Sequence, residues 1–336
     1  MQSFQAFRIH KDDSGIRAGF DTISLDDLAP GDVTVKVTHS TINYKDALAA
    51  TGASPILRRY PLVGGIDLAG IVVDSADERF GDGDAVLVNG CGLSETHDGG
   101  YAEYARLAGD WLVPIPEQLD AAAAMTIGTA GFTAALAIHR MEQNGQRPDG
   151  GPVMVTGATG GVGSLAIDML AGRGYEVHAL TGKADSATYL GALGAAEVVL
   201  RDGLDLGRRP LEKARFAGAI DNLGGDYLTW LTRTTGYGGN IASIGLAASP
   251  VLSTTVMPFI LRAVNLLGIN SVETPRDLRL AVWARIGGDL APRRLDVIGT
   301  RDEPFERLPA LFQDYLDGAE PVAQQRTEHP VSPRFG

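Results

Sequence analysis

With 336 residues, 44% of them hydrophobic and 21% charged, the chain has the length for two domains of ordinary size and a large buried core. Its net charge of −12 excludes a general nucleic-acid binder, which needs a basic face for phosphates, and leaves room only for a local basic pocket. The single cysteine, Cys91, excludes an internal disulfide and any all-cysteine metal site.

The opening residues, MQSFQAFRIHKDD, lack the apolar stretch of a signal peptide. No apolar run reaches the roughly 18 residues that cross a bilayer. These features predict a cytoplasmic protein with no membrane partner. Residues 33–38 (VTVKVT) then have β-branched side chains at strand spacing, and residues 70–73 and 85–88 are short apolar runs. Gly, Pro and Asp clusters such as residues 29–32 and 80–84 supply turns between them. The first third therefore predicts a β-rich barrel or sandwich.

Near Leu119 the texture changes. Residues 119–125 are alanine-rich, and residues 131–140 continue as a predicted helix. From Pro152 strands and helices alternate: strand 152–156, helix 162–173, strand 176–180, helix 186–193, then strands 197–200, 218–221 and 240–244. That alternation predicts a mostly parallel sheet covered by helices. Residues 318–336 are polar and punctuated by prolines, as a loose tail would be.

The strand at 153–156 runs into GATGGVG (157–163) and then an apolar helix, with glycines at 157, 160 and 163. A dinucleotide loop needs glycines there, because the backbone must turn tightly and let a pyrophosphate approach the amides of a helix N-terminus. Gly157, Thr159, Gly160, Gly161 and Val162 are the residues this assigns to a cofactor. The next strand ends in LTGK (180–183). An NAD enzyme usually carries Asp or Glu at this place to hold a ribose hydroxyl, whereas this chain has Thr181, Gly182 and Lys183 and no carboxylate before Asp185. A lysine attracts the 2′-phosphate that a carboxylate repels, so NADPH is favoured over NADH, unless Lys183 is only a solvated surface charge. DNLGG (221–225) and the segments GGN (238–240) and SIGL (243–246) stand at further strand ends and add Asn222, Gly245 and Leu246.

Zinc-dependent alcohol dehydrogenases polarise their substrate with a Cys/His/Glu set. Here Cys91 and the six histidines at 10, 39, 97, 139, 178 and 329 form no ligand-spaced cluster, and metal-free catalysis is predicted.

The segments STINYKDAL (40–48), PLVGGIDLAG (61–70), GGYAEY (99–104), IGTAGFTA (127–134) and FILRAVNLLGINSV (259–272), with the glycine loop, resemble the zinc-free quinone-oxidoreductase branch of the medium-chain dehydrogenase/reductases. Within it they look most like the AcuI/YhdH type, the NADPH-dependent acryloyl-CoA reductases. The resemblance runs collinearly over residues 1–318. It implies an α/β fold in which a Rossmann doubly wound parallel-sheet domain (125–261) is inserted in a β-rich GroES-like catalytic domain (1–124 and 262–336). It also implies a homodimer joined through the Rossmann domains. Zinc-binding relatives read Gly-His-Glu where this chain has Gly65-Ile66-Asp67. Members of the family end in a basic Gly-Arg segment leading into a short strand. GAEPVAQQR (318–326) departs from that pattern, so the last strand of the catalytic domain is expected to be missing or rearranged.

The resemblance implies conjugate reduction of acryloyl-CoA by NADPH, with charge moving to the thioester oxygen and a proton to the α-carbon. Asn43 and Tyr44 belong to a motif that lies beside the nicotinamide in related enzymes. Asn43 would donate to the carbonyl or cap a helix starting near Tyr44, and Tyr44 would donate a proton or pack in the core. Asp67 would orient Tyr44 or Lys45, or be a turn or structural ion-pair residue. Arg262 stands where the similar enoyl-reductase domain of animal fatty acid synthase carries a lysine, and would stabilise an enolate oxygen, or else make an ion pair or a cofactor contact at the domain junction. Thr129, Ile269, Asn270 and Ser271 join the cofactor residues. Arg58 and Arg59 would meet the phosphates of coenzyme A or simply be solvated. The competing readings are a quinone or general alkenal/enone reductase on the same fold, and a non-catalytic NADPH-binding redox sensor.

Overall fold

The computed structural model describes residues 3–299, 301–317 and, in backbone, 325–328. Contacts divide the chain into two units: Met1–Thr129, Val272–Trp283 and Gly299–Gly336 form the first, Ala130–Ser271 and Ala284–Ile298 the second. The expected boundaries at 124/125 and 261/262 therefore lie several residues early. The second is displaced because residues 265–268 are a strand of the parallel sheet rather than the start of the returning segment.

In chain order the first stretch contains β1 (Ser3–Asp12), β2 (Gly15–Ser24), β3 (Val33–Ile42), α1 (Tyr44–Thr51), β4 (Leu62–Val63), β5 (Asp67–Ser75), β6 (Ala85–Asn89), β7 (Tyr104–Leu107), β8 (Val113–Pro114) and α2 (Ala121–Gln143). Then follow β9 (Val153–Thr156), α3 (Gly161–Gly172), β10 (Val177–Thr181), α4 (Ala187–Ala192), β11 (Glu197–Leu200), β12 (Phe216–Asp221), α5 (Gly225–Thr234), β13 (Thr235–Ser243), α6 (Met257–Arg262) and β14 (Asn265–Gly268). The last elements are α7 (Arg276–Ile286), α8 (Leu295–Ile298), β15 (Arg301–Pro304), α9 (Leu308–Asp317) and β16 (Gln325–Glu328).

The first unit is the β-rich one. A sheet in the order β15-β16-β3-β5-β6-β8, with β7 also on β3, accompanies the smaller sheet β2-β1-β4. The alternation of β3 buries Val33, Val35 and Val37 with Leu68, Val72, Val86 and Val88. A second cluster gathers Phe7, Ala47, Tyr101, Leu308 and Phe312, and so seats α1 and α9 together. Of the two alternatives for the last strand, missing or rearranged, the first is corrected: β16 pairs antiparallel with β3 and parallel with β15. Backbone hydrogen bonding sets this pairing, and the polar QRTE of 325–328 gives no alternating pattern from which to read it. The other residues of the predicted tail lie outside the described residues.

The second unit holds one parallel sheet in the order β11-β10-β9-β12-β13-β14. Counted along the chain this is the doubly wound order, and it reverses between β9 and β12. In such an order the crossovers are as a rule right-handed, which places helices on both faces of a sheet. Met154, Leu180, Phe216, Trp230 and Ile241 are part of its core.

Helix α2 corrects another expectation, since it is long and apolar enough to cross a membrane by length and composition alone. Its apolar window is 78% buried within the protein, so the side chains that make it apolar are core. Gly128 interrupts it with φ of 48° and ψ of −154°, outside the helical region and readily reached only by glycine.

Candidate active site and nucleotide site

In the first unit the centre of the site is Asp67, the fully buried first residue of β5. A carboxylate taken out of water needs donors. Asp67 accepts from Thr41 Oγ1, from Asn43 Nδ2 at 3.0 Å, from the Thr129 amide at 2.9 Å and from Thr129 Oγ1. The break at Gly128 makes the Thr129 contact: a residue in mid-helix has its N–H bound to its own helix, whereas here the N–H is turned to the carboxylate.

Asn43 is the residue before α1, in extended conformation at its N-cap, as the capping alternative predicts. Its side-chain amide donates to Thr41 Oγ1 at 2.8 Å, Asp67 at 3.0 Å and Asp46 Oδ2 at 3.2 Å. Two N–H groups facing three acceptors leave no donor for a substrate carbonyl, which corrects the donor role expected of Asn43. Asp67 likewise turns to Thr41, Asn43 and Thr129 rather than to Tyr44 or Lys45. Lys45 is ion-paired with Glu95 instead.

Asp46, which sequence reasoning missed, completes the arrangement. Its Oδ2 also accepts the Asn43 backbone N–H at 2.9 Å, and its Oδ1 accepts that of Ile66 at 3.0 Å. Burial, with the Asp67 charge adding to it, pushes the Asp46 carboxyl up to about 7. The buried Tyr101 hydroxyl donates to the Thr41 carbonyl at 2.8 Å, and burial raises it well above the ordinary phenol range. The helical signature Asn43-x-x-Asp46 was the available signal, because an acid at the third helical position returns to its cap. Tyr44 stands apart from this network. At the first turn of α1 it is 57% exposed, which removes the core-packing alternative.

Arg58 lines a cavity of about 480 Å³ with Cys91, Glu95, Trp111, Arg276 and Arg279. Arg276 and Arg279 are committed to backbone carbonyls, at Gly109, Asp110 and Leu112 and at Asn89, Val272 and Thr274. Arg59 is exposed and is not part of the lining. Burial pushes the Cys91 thiol up, toward its neutral form. Among the described residues no three His, Cys, Asp or Glu side chains are placed to share a metal ion.

In the second unit the glycine loop lies at the sheet's switch point. Gly157 leaves β9 with φ of 61°, and α3 begins at Gly161. The first intrahelical bond is Ser164 N–H to the Gly160 carbonyl at 2.9 Å, so the amides of Gly161, Val162 and Gly163 precede the ladder. A Cβ on Gly163 would fall 2.4 Å from the Gly157 carbonyl oxygen, so the loop can fold this tightly onto its helix only with glycine there. Thr159, Gly160, Gly161 and Val162 are all partly accessible on this turn.

Asn222 bridges the two central strands, donating from its backbone to Thr156 Oγ1 at 2.9 Å and from Nδ2 to the Thr156 carbonyl at 2.7 Å. Gly245 packs against it, since a Cβ there would lie 2.5 Å from the Asn222 carbonyl. Leu246 is exposed beyond it. Ile269 donates to the Ser243 carbonyl at 3.1 Å, which brings Ile269, Asn270 and Ser271 to the same strand ends.

At the end of β10 the buried Thr181 hydroxyl accepts the Lys183 amide at 3.0 Å. The guanidinium of Arg201 lies directly over Gly182, where a Cβ would meet Nη2 at 2.2 Å. Arg201 is the second residue missed by sequence. It follows β11, and its backbone donates to the Thr181 carbonyl at 2.9 Å, so strand adjacency puts it beside Lys183. The two cations at this turn, Lys183 and Arg201, suit a ribose 2′-phosphate.

Arg262 corrects the expectation made for it. Its guanidinium donates to the carbonyls of Arg233 at 2.8 Å, Thr235 at 3.3 Å and Glu212. The first two lie where α5 ends and β13 begins and Glu212 precedes β12, at the opposite end of the sheet from the glycine loop. Arg262 is thus a structural clasp.

Residues 29–117 match the alcohol dehydrogenase GroES-like domain. The putative quinone oxidoreductase YhfP of Bacillus subtilis is 48% identical over 93% of this chain and 95% of its own length. The chain belongs to the zinc-independent, quinone-oxidoreductase-like medium-chain dehydrogenase/reductases, in the AcuI/YhdH group. Acrylyl-CoA reductase AcuI of Ruegeria pomeroyi is 46% identical over 94% of this chain and 96% of its own. The yhdH oxidoreductase of Salmonella enterica, solved in complex with NADP, superposes with a TM-score of 0.93 at 42% identity, covering 97% of this chain and 100% of that one. YhfP, solved with NAD bound, gives 0.94 at 45% identity, covering 98% and 100%.

Proposed function

We propose that the chain is an NADPH-dependent reductase of electron-poor carbon–carbon double bonds, with an enone, an enal or a quinone as acceptor. The observation that carries this reading is Tyr44. Ser40, Thr41, Asn43 and Lys45 all donate within the protein, to Asp67, Asp46 and Glu95, which leaves the exposed Tyr44 hydroxyl as the donor of this segment open to an acceptor.

The glycine loop, the amides at the start of α3, Lys183 and Arg201 fit NADPH as the cofactor. Held by the glycine loop, Lys183 and Arg201, NADPH would supply a hydride to an electron-poor carbon of the acceptor, whose carbonyl oxygen would take up negative charge. Tyr44 meets the charge with a hydrogen bond and passes on a proton, which its exposure lets it recover from water. The Asp46–Asn43–Asp67 network fixes the N-terminus of α1 and with it the phenol.

A second reading, reduction of acryloyl-CoA to propionyl-CoA, is favoured by the cavity beside Arg58, which has the size and a cation for part of a coenzyme A tail. The similarity to AcuI supports it too. The protein partner we infer is a second copy on the nucleotide sheet. Its edge strand β14 and the neighbouring α6 expose Leu266, Ile260 and Leu261. The predicted cytoplasmic location belongs to the same proposal.

NADPH oxidation followed with a quinone, an enone, acryloyl-CoA and crotonyl-CoA in parallel tests these readings. Faster turnover of the enone or quinone supports the first, and a clear preference for acryloyl-CoA replaces it with the second. Tight NADPH binding without turnover of any acceptor overturns both in favour of a sensor.

A further inference from the structure

The parallel sheet carries a second cavity, of about 410 Å³, where β9, β12 and β13 begin. This is the end of the sheet opposite the glycine loop, and none of the nucleotide-site residues lines it. Its wall is a detour in β13: Thr235 pairs with Phe216 and Asn240 with Gly218, so the intervening residues 236–239 loop out of register. Gly236, Gly238 and Gly239 give that wall almost no side chains.

Arg147 and Arg215 both line the cavity, and neither has a carboxylate partner among the described residues. In a chain with 41 acidic against 29 basic residues, a guanidinium readily finds a carboxylate. Arg79, Arg173, Arg209, Arg285 and Arg307 all have one, while Arg262, Arg276 and Arg279 are held by carbonyls. Asp149 is the one carboxylate of the lining, so the cavity keeps an excess of one positive charge. Arg215 is also braced, with its guanidinium 5.3 Å from the Phe216 ring centre and 5.9 Å from that of Trp230.

An independent observation comes from Gln146, only 8% exposed. Its Oε1 accepts Asn240 Nδ2 at 3.2 Å and faces Gly218, which fixes the amide. Its Nε2 lies on the other side, toward Gly150 of the cavity lining, and donates to no described residue. This N–H is not enclosed in the protein: it opens to solvent at the cavity, where it can donate to a bound ligand.

We propose that this cavity binds a small oxyanion, a carboxylate or a phosphate monoester, between Arg147, Arg215 and the Gln146 amide. The ligand would lie across the sheet from the cofactor, and the proposal is independent of which acceptor the enzyme reduces.

The test is isothermal titration of the full-length protein saturated with NADPH, so that the cofactor's own phosphate site is already filled. Malonate and glycerol 3-phosphate are the probes, at ionic strength matched with sodium chloride. One saturable site is expected, weakened at least about tenfold in Arg147→Gln/Arg215→Gln, with NADPH affinity unchanged. Both arginines are exposed, and the single Arg147→Gln variant removes a charge that touches no ring, so an unchanged melting temperature is expected and ties any loss of binding there to the cavity. Response to malonate alone identifies a carboxylate ligand, and response to glycerol 3-phosphate alone a phosphorylated one. Absence of saturable heat with both probes, or equal binding by the double variant, overturns the proposal.

Discussion

Asp46 and Asp67 reach the same side-chain amide: Asn43 Nδ2 stands 3.2 Å from Asp46 Oδ2 and 3.0 Å from Asp67 Oδ2. Both carboxyls are buried, and the charge of the second helps to keep the first protonated. The pair therefore ties the N-terminus of α1 to β5 in a way that depends on pH.

The sign follows from linkage. Asp46 is raised from 3.8 to about 7 in the folded protein, so the folded state holds this proton more tightly than the unfolded chain does. The resulting stabilisation is complete below pH 3.8 and is lost as pH rises through about 7. Its upper limit is about 4 kcal/mol, at roughly 1.4 kcal/mol for each unit of pKa. Asp46→Asn cannot ionise, so its stability relative to the parent should improve steadily between pH 5 and pH 8 in urea titrations. A difference that stays constant over that range would refute the assignment.

Tyr44→Phe removes one hydroxyl from an exposed ring. Stability should change by less than about 0.5 kcal/mol, as for surface substitutions generally. Turnover should fall at least about tenfold, while the KM for NADPH stays the same. Unchanged turnover would mean that water protonates the product directly.

Lys183→Ala and Arg201→Ala each take a cation from the turn after β10. A charge-assisted hydrogen bond to phosphate contributes about 1.5–3 kcal/mol, so the KM for NADPH should rise roughly 10- to 100-fold. The KM for NADH should hardly move. Equal losses with both nucleotides would place these side chains away from the 2′-phosphate.

Arg262→Ala separates a structural clasp from a catalytic group. Losing the donor to three carbonyls should destabilise the protein by about 1–3 kcal/mol in thermal or urea unfolding. The kcat/KM of the folded fraction should remain within about twofold of the parent. A large loss of kcat in a well-folded variant would restore the role expected from its lysine counterpart.

What the sequence reveals depends on how local the requirement is. The glycine loop is legible because a turn, a close approach and a helix start all fall within residues 157–163, and each restricts residue type directly. The carboxylate network is not, because Thr41, Asp67, Tyr101 and Thr129 meet only after β3, β5 and the broken α2 come together. Arg201 was hidden for a related reason: it reaches Gly182 through the parallel pairing of β10 and β11, which no sequence spacing records. Arg262 was misread because a position aligned with a lysine says nothing of which end of the sheet the side chain will occupy.

The strand order of the first unit has a consequence for how the protein is made. In its large sheet β3 pairs with β16, with His39 opposite Glu328, so a ribosome must deliver residue 328 before that pair can form. The parallel sheet draws all six strands from residues 153–268 and can assemble while synthesis continues. Until the last strand arrives, β3 offers an open edge that neighbouring nascent chains could capture. The unit whose strands begin before the parallel sheet is thus completed after it.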